Sequence, residues 1–131
     1  MIGPLSLLAL CAATATLDSL ATALRPALAS DSDWSPHARY HTVVYGLTRA
    51  GVAALCLALI GVGIATGTPA GLGPALALLL AMDAVTLAAS RVPGVAGAQP
   101  VEARDDRSTR LAMLRCALVI AAGAWAVMGG A

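Results

Sequence analysis

The stretch His37–Ala65, HARYHTVVYGLTRAGVAALCLALIGVGIA, decides the fold. From Ala50 to Ala65 it holds no charged, amide or hydroxyl side chain. A helix rising 1.5 Å per residue needs about 20 such apolar residues to cross a bilayer core. Three more runs of the same kind flank it, from about Ile2 to Leu24, Leu72 to Ser90 and Thr109 to Met128. They predict an all-α protein, an integral membrane four-helix bundle with antiparallel up-down spans. Residues 1–131 then form one transmembrane domain. The run at residues 37–65 exceeds the bilayer, so its first turns belong in the interface. A cleavable signal peptide ending at Ala21-Thr22-Ala23 is the competing reading of the first run. Its length, Asp18 and the lack of a basic leading segment favour a span.

Composition agrees: 59% of residues are hydrophobic and 11% charged, with no Phe, and the mean hydropathy is +0.82. A soluble domain of this size is far less apolar. A net charge of +1, two Trp, two Tyr and no basic stripe exclude a nucleic-acid partner. Cys11, Cys56 and Cys116 lie within apolar runs without a C-x-x-C pair, which predicts packing residues rather than a thiol redox centre.

Loop charge sets the orientation. Residues 25–40 hold Arg25 and Arg39, and residues 91–110 hold Arg91, Arg104, Arg107 and Arg110. The remaining hydrophilic ends hold no charged side chain. The positive-inside rule places loops 25–36 and 91–108 in the cytoplasm and both termini outside, in the inner or plasma membrane. Gly67-Thr68-Pro69 and Gly71 to Pro74 predict a short turn between antiparallel neighbours. The Pro-, Gly- and charge-rich segment 92–107 predicts a mobile loop. Small residues on the second run (Gly51, Gly61, Gly63) and the fourth (Gly123, Ala124, Gly129) suit close helix packing, within the chain or in a homo-oligomer.

Each run also carries an ionisable residue at a similar depth: Asp18, Arg49, Asp83 and Arg115. At seven or eight residues from the cytoplasmic end, they lie roughly 10–12 Å below that surface. Such residues are costly in hydrocarbon and mark functional sites or ion pairs. Structural pairing, for instance Asp18 with Arg49 and Asp83 with Arg115, is one reading. The other keeps a carboxylate as proton donor or acceptor. Desolvation favours its neutral form and a nearby guanidinium its charged form, and the balance can place it within reach of neutral pH. Thr14 and Thr22 lie one turn either side of Asp18, Tyr45 one turn from Arg49, and Thr86 at i+3 from Asp83.

Before the second run stands Trp34-Ser35-Pro36-His37-Ala38-Arg39-Tyr40-His41. Ser35 ahead of Pro36 predicts a helix start, with a hydroxyl N-cap and proline at the first helical position. His37, His41, Tyr45 and Arg49 then follow at i, i+4, i+8 and i+12. This polar stripe predicts a proton route from the surface to the charged layer, or an interfacial helix end solvated by headgroups. Imidazole suits proton transfer, titrating near pH ~6.5 when free. Two His at i, i+4 also suit a metal if Asp31 or Asp33 were a third ligand. With no further His or Cys nearby, no metal and no cofactor is expected.

This stretch resembles the W-x-P-H-A-R-x-H signature of small, uncharacterised four-span membrane proteins. The layout is also similar, more loosely, to the membrane bundles that include the sterol isomerases and the sigma-2 receptor. That resemblance implies a lipophilic ligand and proton chemistry inside the bilayer. The chain departs from it in its shortness and its lack of an aromatic-rich pocket.

Together these readings predict a small membrane enzyme, cofactor-independent and isomerase- or cyclase-like, acting on a lipophilic metabolite by isomerisation, cyclisation or epoxide opening. Asp18 and Asp83 would be acid and base, and His41 and Tyr45 proton relays. Arg49, Arg115, Trp34, His37, Thr14, Thr22 and Thr86 would bind substrate. The alternatives are a non-catalytic membrane assembly subunit and a small proton-coupled transporter. Two buried Arg argue against transport of cationic drugs.

Overall fold

The computed structural model describes residues 3–24, 35–68, 71–89 and 106–129. These form four α-helices and no strand: α1 (Pro4–Ala23), α2 (Pro36–Thr66), α3 (Leu72–Ala89) and α4 (Asp106–Gly129). The all-α expectation holds, and the helix limits fall close to the apolar runs. α4 begins a turn ahead of the expected Thr109, because a polar turn can complete helical hydrogen bonds without contributing to hydropathy.

Local chemistry sets the ends of α2. The Ser35 side chain accepts a hydrogen bond from the Ala38 amide at 3.1 Å, with Pro36 in the first turn, as expected. At the other end Gly67 adopts the left-handed conformation, φ 65°, which ends a helix at little steric cost only for glycine. The chain then turns so that Gly71 lies against Leu59, where a Cβ on Gly71 would meet the Leu59 carbonyl oxygen at 3.3 Å. Residues 25–34 and 90–105, including Trp34, Asp31, Asp33 and most of the expected mobile loop, lie outside the described residues.

Each helix packs against its sequence neighbours, and α1 closes the ring against α4. The pairings run antiparallel: Ser19 and Ala23 of α1 face Gly46 early in α2, while Leu8 shares a core with Ile60 late in α2. Gly46 is the tightest approach, since a Cβ there would stand 2.8 Å from the Ala23 Cβ and 3.0 Å from the Ser19 carbonyl oxygen. Of the glycines singled out from the sequence, Gly63 is also closely placed, since its added Cβ would meet the Thr68 carbonyl oxygen at 3.1 Å, and the others do less. Gly51 and Gly61 face open space, and Gly123 meets only the Leu76 side chain, at 3.7 Å.

The interior divides along its length. One half is apolar, with Leu8, Cys11, Cys56, Ile60, Leu79 and Val119 at its centre. Cys11, Cys56 and Cys116 are free thiols, the first two buried there as packing residues. The other half holds Arg49, Asp83 and Arg115, all buried. The outside is the reverse. Leu10, Leu17, Leu55, Val62, Val85, Leu114 and Ile120 are exposed, so every helix presents large apolar side chains outward.

Two helices, α1 and α2, are long and apolar enough to cross a membrane; Leu72–Ala88 is a shorter apolar helix. The expectation of four spans is thus met as four helices, of which two reach spanning length and hydropathy.

Candidate functional site

The sequence places an ionisable group at a similar depth on each helix (Asp18, Arg49, Asp83 and Arg115), and the fold joins these four in one network. Asp83, on α3, is the hub. Its Oδ2 accepts from Arg115 Nε at 3.0 Å, and its Oδ1 accepts from Arg115 Nη2 at 2.9 Å and from Arg49 Nη2 at 3.1 Å. The Arg115 contact is a two-pronged guanidinium–carboxylate fork, the strongest geometry such a pair adopts. Arg115 Nη2 also reaches Asp18 Oδ2 at 3.4 Å. The expected pair of Asp83 with Arg115 is present. The expected pair of Asp18 with Arg49 is not. Arg49 turns to Asp83 and Asp18 takes Arg115 although α1 and α2 are also neighbours in the ring, so the facing of each side chain about its helix axis, not helix adjacency, selects the partner. Equal depth alone could not choose among these neighbours.

Arg49 is braced on its far side. Its Nη1 donates to Tyr45 Oη at 2.9 Å, to the Met82 carbonyl oxygen at 3.3 Å and to Thr86 Oγ1. Tyr45 Oη and Thr86 Oγ1 lie 3.1 Å apart, and Thr86 donates to the Met82 carbonyl at 3.1 Å. A consistent proton pattern follows: guanidinium to Tyr45, Tyr45 to Thr86, Thr86 to the backbone. Tyr45 and Thr86 therefore hold Arg49 in place, and the Arg49 guanidinium also lies near the Tyr45 ring, 5.5 Å from its centroid.

The two carboxylates differ sharply in setting. The Asp83 side chain is 1% exposed with three guanidinium bonds; that of Asp18 is 20% exposed with one long contact. Arg115 is 4% exposed, and its Nη1 is buried without a hydrogen-bond partner. Ser19, next to Asp18, also buries an unpartnered hydroxyl. The sequence reading missed Ser19. Its signal was the small-residue face Ala12, Ala15, Ser19, Ala23 that α1 turns inward. Thr14 and Thr22 spend their hydroxyl protons on their own helix, donating to the Cys11 carbonyl at 3.0 Å and the Asp18 carbonyl at 2.9 Å.

The polar stripe on α2 falls into two pieces. His37 and His41, both exposed, place their Nε2 atoms 3.1 Å apart, and Tyr45, itself half-exposed, belongs instead to the network around Arg49. Among the described residues no hydrogen bond joins His41 to Tyr45. Beyond Tyr45 the path meets Arg49, a guanidinium that does not give up its proton. Among the described residues no three His, Cys, Asp or Glu side chains gather as a metal centre. Compared with known proteins, the chain matches no protein-family model, no curated protein and no solved structure.

Proposed function

We propose that the chain is an integral membrane protein that performs acid–base chemistry on a lipophilic small molecule, with Asp18 as its proton-handling group. The bilayer reading rests on the inverted partition, with large apolar side chains outside and charges inside, the opposite of a bundle folded in water. The 18 residues of α3 span about 27 Å, close to the hydrocarbon thickness of about 30 Å. Arg-bearing loops 25–36 and 91–108 then face the cytoplasm.

The asymmetry between the carboxylates carries the chemical reading. Asp83, fixed by two guanidinium groups, serves as an anchor rather than an acid. It forms with Arg49 and Arg115 a unit of net charge +1, and Asp18 is the counter-charge. If Asp18 takes a proton from a substrate carbon, the unit's surplus positive charge is exposed beside the new carbanion. The free Arg115 Nη1–H is a donor suited to the oxygen on which that charge would settle. Asp18 then returns the proton at another carbon, which is an isomerisation without cofactor. The resemblance in layout to sterol-isomerase-type bundles points to the same class.

The test compares Asp18→Asn with Asp83→Asn in detergent stability and in the lipophilic metabolite profile of the host membrane. The expected result is a folded, stable Asp18→Asn protein whose profile matches that of a strain lacking the protein. A profile equal to wild type overturns the reading.

A non-catalytic assembly subunit is the second reading, favoured by the presence of an Arg partner for each of Asp18 and Asp83. It predicts instead that a folded Asp18→Asn protein leaves the host profile unchanged, with Asp83→Asn acting only through loss of folded protein.

A further inference from the structure

The proposed chemistry leaves the surface half of the α2 stripe unused. Ser35 and Pro36 fix the first turn of α2, and His37 and His41 stand one turn apart on its exposed face. Their ring centroids lie 4.4 Å apart with an interplanar angle of 81°, and the two Nε2 atoms stand 3.1 Å from each other.

That spacing fits a shared ion. Two imidazole nitrogens bound at about 2.0–2.1 Å stand roughly 2.9 Å apart at a right angle and roughly 3.3 Å apart at the tetrahedral angle. The observed separation falls between the two.

We propose that His37 and His41 form a chelating site for a divalent d-block cation such as zinc, nickel or copper. Imidazole selects these ions over magnesium and calcium, which take oxygen ligands. Both rings bind through Nε2 as neutral imidazoles. The ring whose Nε2 carries the proton in the metal-free pair shifts it to Nδ1, so binding needs no net loss of a proton. Two protein ligands leave open positions for water. The positive end of the α2 dipole opposes a cation here, which sets a modest affinity and makes the second imidazole essential.

The alternative is a plain N–H···N hydrogen bond between the rings, and metal titration separates the two. The metal-free full chain in detergent is titrated with zinc chloride and with nickel sulfate against a chromophoric chelator. One equivalent binds to wild type, and His37→Ala or His41→Ala weakens binding roughly a hundredfold, as loss of one arm of a chelate does. Both variants lie on an exposed helix face and keep the fold, checked by helical circular dichroism. Asp18→Asn binds metal as wild type does, so this site and the proposed chemistry stand or fall separately. Equal binding by wild type and the His37→Ala/His41→Ala double variant overturns the proposal, as does the absence of a bound equivalent in wild type.

Discussion

Asp83 shows how a buried charge is tolerated: three bonds from two guanidinium groups replace the water it has lost. Removing its charge leaves Arg49 and Arg115 facing each other with only the long Arg115–Asp18 contact as counter-charge. Asp83→Asn should cost about 3–5 kcal/mol, the usual result of breaking a buried pair from one side. Thermal unfolding in detergent measures it. Asp18, with one long contact, should lose less than Asp83 on the same change. Equal losses at the two sites would contradict the division of labour between them. Thr86→Val removes an acceptor from Arg49 and from Tyr45. It should cost about 1–3 kcal/mol by leaving those donors short.

At the scale of elements, the contact between α1 and α2 depends on a missing side chain. Gly46→Ala places a methyl 2.8 Å from the Ala23 Cβ and 3.0 Å from the Ser19 backbone, so the helices must separate. A loss of about 1–3 kcal/mol is expected, the range for overpacking a tight interior. Gly51→Ala is the control: nothing lies within 4 Å of its added Cβ, and it should be neutral or stabilising by up to about 1 kcal/mol through helix propensity. Denaturant titrations of the two variants side by side test this, and similar effects would contradict the close contact. The α2–α3 turn offers a third variant. Gly67→Ala forces a Cβ into the left-handed conformation and should cost about 1–2 kcal/mol.

For the whole molecule, the prediction concerns the solvent. If lipid covers the exposed leucines and valines, the protein stays in the membrane pellet through an alkaline carbonate wash. Cysteines introduced at loop positions 30 and 98 then react with an impermeant thiol reagent only from the cytoplasmic side. Release into the wash, or labelling from outside, would contradict the insertion or its direction. Much of the architecture was legible beforehand because helices in lipid satisfy their own backbone and need only length and hydropathy to be read. The hydroxyl cap at Ser35, the glycine turn at Gly67 and the common depth of the ionisable residues were likewise local properties.

The sequence by itself determined the number of helices, their approximate limits and the presence of an ionisable residue at a similar depth on each. All of these follow from runs of side chains along a single strand of chain. Tertiary structure decided who pairs with whom. Asp83 rather than Asp18 became the hub, Arg49 turned away from Asp18, and Gly46 rather than Gly51 or Gly61 became the closest helix contact. Depth along a helix is a one-dimensional quantity that the sequence carries. Rotation about each helix axis and the order of helices around the ring are set by packing all four together, because a turn of 100° per residue moves a side chain from one neighbour to the next.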